Sequence, residues 1–281
     1  MYKFILSGFA DEIDPMMKKQ YELLHKLGVE YIELRGVNGK NISELTVDEV
    51  RNLKAELDKE NIKISAIGSP VGKIKMNDDF EKHFEVYKNV VAFAKILDTK
   101  YIRMFSFFTE GENEKHRDEI FKRLALMIEY AKEQGVVLLH ENEKDIYGDT
   151  DLRCAELMKE FYCDNFKCTF DFANFVQCKV DTLKAYELLK PYIEYVHIKD
   201  ALCENNAVVP AGYGNGNVKE ILSILKKEGY QGFISLEPHL SHFPGFEALE
   251  GGKSIDSENK TDGVTAYTTA YNALQNILKE I

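Results

Sequence analysis

The stretch Tyr195-Val196-His197-Ile198-Lys199-Asp200 ends a short apolar run in polar side chains. The pattern predicts a strand over residues 193–199. Successive side chains of a strand alternate between its two faces, so His197 and Lys199 share one face. Polar groups at the carboxyl end of an apolar strand indicate either a hydrogen-bonded rim or a functional site. The ends of the other strands decide between these two interpretations.

Seven further apolar runs alternate with helix-like segments along the chain. They predict strands at residues 3–9, 31–35, 62–67, 101–105, 136–140, 167–172 and 232–236. Short apolar strands separated by helices indicate a parallel sheet, and eight such units have the size of a barrel. We therefore predict an α/β protein with a single (β/α)8 TIM barrel over residues 1–281. A doubly wound open sheet is the alternative, and it usually needs a topological switch and a nucleotide-binding loop.

Three local features carry their own predictions. Asp14 is expected to cap the first helix, with Pro15 at its first position. Residues 212–216 contain three alternating glycines, which do not follow a strand of the first βα unit and so predict a flexible loop. Residues 240–262 form a long insertion near the end of the chain, and such insertions are typical of a lid or an oligomer contact.

Composition limits the class of function. The 281-residue chain is 44% hydrophobic and has a formal net charge of −11, which disfavours a nucleic-acid partner because phosphate backbones require a basic surface. No apolar run predicts a membrane span or an export signal. The five cysteines form no CxxC pair, so reduced thiols in a cytoplasmic protein are expected.

Four consecutive predicted strands end in side chains that bind metals well. These are Glu141, Asp171, His197 and Glu237. Active sites of TIM barrels lie at the carboxyl ends of the strands, so these side chains are expected to converge. Three converging carboxylates repel one another unless a cation is present. Three oxygen donors and one imidazole favour Mn²⁺ or Mg²⁺, with Zn²⁺ or Co²⁺ as alternatives.

Four motifs then connect the chain to a known family. They are Leu138-Leu139-His140-Glu141-Asn142-Glu143, Phe170-Asp171-Phe172-Ala173-Asn174, Val196-His197-Ile198-Lys199-Asp200 and Ser235-Leu236-Glu237-Pro238-His239. Over nearly its whole length the chain resembles the sugar phosphate isomerase/epimerase superfamily of xylose isomerase-like TIM barrels. The resemblance implies that the same four side chains bind one divalent metal. It also implies that Glu141 and Glu237 are the catalytic acid–base pair.

Further strand-end residues are candidates for contact with substrate. They are Lys199, Glu33, Arg103 and His239, together with Asn174, which stands where several members of the superfamily carry histidine. For Glu33 and Arg103 the alternative is an ion pair within the barrel wall. For Lys199 it is a salt bridge to Asp200 or a neighbouring carboxylate. The expected partner is a small sugar or polyol, and a homo-oligomer is compatible with the sequence.

The predicted reaction is proton abstraction next to the carbonyl of a sugar or sugar phosphate, through a metal-stabilised enediolate. Epimerisation or isomerisation follows, depending on where the proton returns. The first alternative is a metal-dependent sugar or inosose dehydratase on the same scaffold. An apurinic endonuclease-like hydrolase and a non-catalytic sugar-binding protein are less favoured, the former because of the acidic charge.

Overall fold

A computed structural model describes residues 3–241 and 261–281. The predicted insertion at 240–262 lies almost wholly outside the described residues. Eight strands form the sheet of a (β/α)8 barrel, as predicted. In chain order they are β1 (Lys3–Gly8), β2 (Tyr31–Leu34), β3 (Lys63–Ile67), β4 (Tyr101–Met104), β5 (Val137–Glu141), β6 (Phe166–Asp171), β7 (Ile193–Ile198) and β8 (Gln231–Leu236).

Neighbouring strands are parallel, and the hydrogen-bonded order is β1-β8-β7-β6-β5-β4-β3-β2. The order therefore follows the chain, with β8 closing back onto β1 through pairs such as Ser7 with Ser235. This arrangement excludes the doubly wound alternative, because the strand order of the eight-stranded sheet does not reverse at any point. All carboxyl ends consequently lie at one rim, where a barrel places its site.

Nine helices occur in the described parts of the chain. They are α1 (Met17–Leu27), α2 (Val47–Lys59), α3 (Phe80–Ile96), α4 (Asn113–Gln134), α5 (Asp151–Phe161), α6 (Phe172–Gln177), α7 (Thr182–Leu189), α8 (Val218–Lys227) and α9 (Gly263–Glu280). Gly28 and Gly135 end α1 and α4 in the left-handed conformation that glycine favours. None of the helices in the described residues is long and apolar enough to cross a membrane.

The start of α1 was predicted wrongly. The helix begins at Met17 with Met16 as its cap residue, so Pro15 does not occupy the first position. The Asp14 side chain instead accepts hydrogen bonds from the Met16 amide and the Lys19 ammonium. An aspartate followed by proline can stabilise either arrangement, and residues 10–12 form a short 3-10 turn that shifts the helix start.

Two packed layers hold the rim in place. The large core cluster lies between the sheet and the helices and includes Leu24, Val90, Leu124 and Leu222, all fully buried. A smaller cluster fills the barrel interior and consists of Ala66, Tyr101, Val137, Leu139 and Tyr195, with Phe233 packed against it. Because the interior is filled below the rim, polar side chains at the strand ends rest on a packed floor.

Candidate metal and catalytic centre

The four predicted ligand residues converge at the carboxyl ends of β5, β6, β7 and β8. One donor atom from each of Glu141, Asp171, His197 and Glu237 lies within 4.8 Å of every other. His197 Nδ1 is 3.1 Å from Glu141 Oε1, 3.7 Å from Glu237 Oε2 and 3.9 Å from Asp171 Oδ2. All four side chains are buried. The carboxylates therefore converge on one ring nitrogen in a site that excludes solvent.

Strand pairing explains this convergence. Asp171 pairs with His197 across β6 and β7, and Ser235 pairs with His197 across β7 and β8. Asp171 is also the N-cap of α6, a helix that the sequence patterns did not predict. Its Oδ1 accepts the Asn174 amide at 2.7 Å, which fixes the side chain and directs Oδ2 into the cluster.

Two atoms of the cluster are buried without a hydrogen bond in the described part of the chain. They are His197 Nδ1 and Asp171 Oδ2. Buried polar atoms normally have hydrogen-bond partners. A cation-binding site requires atoms of this kind, which can bind a cation and have no hydrogen-bond partner of their own. The residues present therefore fit a divalent metal.

Three cations surround the carboxylates. Arg103 Nη1 is 3.2 Å from Glu141 Oε2 and 3.3 Å from Glu237 Oε1. Lys199 Nζ is 2.9 Å from Glu237 Oε2 and 3.4 Å from Asp171 Oδ2. Arg35 Nη1 is 3.2 Å from Glu237 Oε1. These contacts reduce the repulsion among the acidic groups and fix their orientation.

The protonation equilibria reflect this mixture of burial and charge. Burial raises the pKa of Asp171 to about 7, and the nearby Glu141 and Glu237 add to the effect against the opposing Lys199. Burial also opposes ionisation of Glu141, but His197 and Arg103 outweigh it and lower the pKa of Glu141 to about 2. For His197, Glu33 and Glu141 outweigh burial and raise its pKa. Burial opposes ionisation of Glu237 as well, but Lys199 and His239 outweigh it and lower the pKa of Glu237, so both glutamates are held as carboxylates.

The other predicted residues lie around this cluster. Asn174 Nδ2 donates to Glu141 Oε1 at 3.1 Å and to the Asn142 carbonyl. Both Glu33 carboxylate oxygens lie within 3.2 Å of His197 Nε2. His239 Nε2 lies 3.5 Å from oxygens of both Glu12 and Glu237. The structure thus brings all the candidates together, and their contacts with substrate stay predictions.

Sequence reasoning missed one buried cation and its partners. Arg35 pairs with Asp11, Glu12 and Glu237, and all of these groups are buried. Glu12 lies in the short 3-10 turn that follows β1 and is 2% exposed. The sequence feature that could have identified Arg35 is the alternation of side chains along a strand. Arg35 lies two residues after Glu33 and therefore on the same strand face.

An aromatic side chain links the two arginines. The guanidinium carbons of Arg35 and Arg103 lie 4.5 and 4.8 Å from the centroid of the Phe9 ring. Phe9 also contacts His197 edge-on, with ring centroids 5.3 Å apart. Cation–π contacts of this kind orient guanidinium groups in buried sites. Phe9 therefore connects His197 of the four-residue cluster to the surrounding cations.

The alternating glycines after β7 form an ordered loop, contrary to the flexible loop that was predicted. The Asp200 carboxylate accepts the backbone amides of Ala201, Gly212, Gly214 and Gly216 at 2.8–3.0 Å. A Cβ on Gly214 would lie 2.4 Å from Asp200 Oδ1, so glycine is needed for this close approach. The backbone amides of this loop therefore surround the Asp200 carboxylate.

Comparison with known proteins agrees with this architecture. The family model described as xylose isomerase-like TIM barrel matches residues 21–257. The chain therefore belongs to the xylose isomerase-like TIM barrel family. The match covers every strand after β1 and all four converging side chains.

Individual relatives differ in the reaction that they are named for. The chain is 24% identical over 240 residues to a 3-dehydroshikimate dehydratase of Bacillus anthracis, covering 80% of this chain and 83% of the relative. It is 26% identical over 275 residues to an inosose isomerase of Halalkalibacterium halodurans, covering 89% and 94%. The crystal structure of IOLI protein with a bound zinc atom superposes with a TM-score of 0.76 at 20% identity, covering 99% of each chain.

Proposed function

We propose that the protein is a divalent-metal-dependent isomerase or epimerase of a small sugar or polyol. The observation that carries this proposal is the convergence of four donor atoms from four adjacent strands within 4.8 Å. One relative is named as a 3-dehydroshikimate dehydratase and another as an inosose isomerase, and these names support a small-molecule substrate of this kind.

Glu141, Asp171, His197 and Glu237 would hold the metal, with Mn²⁺ or Mg²⁺ favoured by the three carboxylates and Zn²⁺ or Co²⁺ also compatible. A divalent ion bound there supplies Lewis acidity toward the carbonyl and hydroxyl oxygens of the substrate. Uptake of the ion displaces protons from the donor atoms. Metal affinity is therefore expected to fall as the pH is lowered.

Glu141 and Glu237 are proposed to move the proton. One carboxylate removes the proton from the carbon next to the carbonyl, and the C–H electron pair becomes the double bond of an enediolate. The other carboxylate returns a proton to the opposite face, which gives an epimer. Return of the proton by the first carboxylate to the neighbouring carbon, with transfer of the hydroxyl proton to the former carbonyl oxygen, gives an isomer.

The surrounding cations stabilise this charge redistribution. Arg103 contacts both glutamates and keeps them ionised, so that either can accept a proton. Lys199 is close to the same rim and is proposed to interact with the negative oxygen that develops on the substrate. His239 is proposed to donate a hydrogen bond to a substrate hydroxyl group. Asn174 Oδ1 is proposed to accept one, since the two protons of its Nδ2 already have acceptors.

Hydrogen exchange tests the proposal directly. Metal bound to the purified protein is measured first, and the metal-free protein is then reloaded with each candidate ion. Ketoses and keto-inositols, with and without a phosphate group, are incubated in heavy water. We expect metal-dependent deuterium incorporation at the carbon next to the carbonyl of at least one compound, observed by NMR.

Two glutamate variants give the control. Glu237→Gln should slow exchange by roughly 10²–10⁴-fold, the usual contribution of one acid–base group. Glu194 lies at the opposite end of β7 and accepts a hydrogen bond from the Tyr101 hydroxyl. Glu194→Gln should leave exchange unchanged. No exchange across the panel, with Glu237→Gln equal to the natural protein, would refute the proposal. Exchange accompanied by a new conjugated-enone absorbance would identify a dehydratase instead.

A further inference from the structure

We infer that Glu33 is a positioning residue that fixes the ring orientation of His197 for metal binding, rather than a substrate contact. The inference rests on the metal site of the proposed function and assigns a role to a residue outside the ligand set. His197 has two ring nitrogens with different surroundings. Nδ1 faces the three carboxylates, whereas Nε2 faces Glu33.

The contact between Glu33 and His197 is short and fully enclosed. His197 Nε2 lies 3.0 and 3.2 Å from the two carboxylate oxygens of Glu33, and both side chains have an exposed fraction of zero. A buried carboxylate is costly unless it is paired. Glu33 therefore holds a proton on Nε2 as a hydrogen-bond donor, which leaves Nδ1 as the nitrogen available to a metal.

The ring is also held from its sides. Phe9 and Tyr195 both contact it edge-on, with centroid distances of 5.3 and 5.7 Å. A 180° rotation of the imidazole about its Cβ–Cγ bond would put ring carbons in the places of Nδ1 and Nε2, and it would break the contacts with both Glu33 and Glu141. The surroundings thus define one orientation of the ring.

The backbone of β2 and β3 contributes to this placement. The pairing of the two strands is regular up to Ile32 and shifts by one residue before Glu33, so that Ser65 has no partner across the ladder. The Ser65 hydroxyl instead donates to the Ile32 carbonyl at 3.1 Å. Irregularities of this kind re-aim side chains next to functional sites. Here the shift occurs at the residue that contacts His197.

A carboxylate that accepts the second N–H of a ligating histidine orients the ring and raises its basicity. Loss of such a partner typically weakens metal binding by about 10–100-fold. This expectation separates a positioning role from a substrate contact. A substrate contact would alter KM or turnover and leave metal affinity unchanged.

The test measures metal dissociation constants by competition with a chelator, using Zn²⁺ on the full chain. Glu33→Ala should weaken binding by about 10–100-fold. Glu33→Gln should weaken it less, because the amide oxygen still accepts the Nε2 proton. Glu194→Gln is the matched control and should bind as the natural protein does.

A second readout uses the natural protein and does not depend on the folding of a variant. Long-range ¹H–¹⁵N correlation spectra of the zinc-loaded protein should show His197 protonated at Nε2 and metal-bound at Nδ1. The opposite assignment, or an unchanged dissociation constant in Glu33→Ala, would overturn the inference while leaving the proposed function intact. Absence of metal binding by the natural protein would refute the proposed function itself.

Discussion

His197 illustrates how much one residue contributes to this site. It is the nitrogen donor in a cluster whose other members are carboxylates, and it is held between Glu33 and the aromatic rings. His197→Ala removes that donor. We expect metal affinity to fall by more than about 100-fold, since loss of an outer partner alone costs about 10–100-fold, and turnover should fall with it. Isothermal titration of the metal-free protein measures the affinity.

A half-buried histidine provides the control for this substitution. His83 on α3 accepts the Gly72 amide at 2.8 Å and lies outside the cluster, so His83→Ala should retain metal affinity even if stability falls. Loss of turnover in His197→Ala with unchanged metal affinity would show that His197 is not a ligand. Circular dichroism establishes that both variants are folded.

At the scale of an element, the loop between β7 and α8 depends on one buried carboxylate. Asp200 accepts four backbone amides, and an asparagine would direct its own NH₂ group at two of these donors. Asp200→Asn should therefore lower the free energy of unfolding by about 1–3 kcal/mol. Urea titration measures this, and faster amide exchange over residues 200–216 should accompany it.

The matched control for this loop is Asp181→Asn at the N-terminus of α7. Asp181 accepts the Leu183 and Lys184 amides, and asparagine caps a helix about as well as aspartate. We expect a change within about 0.5 kcal/mol at this exposed site. Equal effects of the two substitutions would contradict a special role for Asp200.

For the whole molecule, histidines that stay neutral in the folded state make stability depend on pH. Burial, with a smaller contribution from Arg123, lowers the pKa of His83 to about 4, whereas an unfolded chain has the ordinary value of about 6.5. Between these two pH values the unfolded state binds more protons than the folded state. The contribution of neutral His83 to the free energy of unfolding is therefore complete above pH 6.5 and is lost as the pH falls to about 4. Protonation would also remove the acceptor for Gly72.

Comparison with His83→Gln isolates this contribution from other titrating groups. The difference in free energy of unfolding between the natural protein and the variant should increase with pH from about 4 to 6.5 and stay constant above that range. Urea titrations at several pH values give the difference. A difference independent of pH would mean that His83 titrates normally in the folded protein.

Much of this molecule was predictable because its signals are local in the sequence. Each barrel strand was located to within one or two residues, since apolar runs bounded by glycine and polar residues define short buried strands. The convergence of the four candidate ligands was predictable because the strands of a barrel end at one rim. The start of α1 and the presence of α6 were missed, because they depend on competing hydrogen bonds of Asp14 and Asp171.

Other features needed contacts between distant parts of the chain. Arg35 and Glu237 are 202 residues apart and meet only when β8 closes onto β1. Glu33 looked like a substrate contact in the sequence, and its position against His197 appears only in three dimensions. The same holds for the glycine loop, whose order depends on Asp200 rather than on the glycines themselves.

The alternation of strands and helices and the type of side chain at each strand end follow from local sequence, because hydrophobic period and polar termini are properties of neighbouring residues. The tertiary structure decided which of those side chains touch. Ring orientation, the pairing of each cation and the pKa of each carboxylate depend on distances of a few ångströms between separate strands. For His197, the sequence indicated a ligand, and the fold determined which of its nitrogens faces the carboxylates.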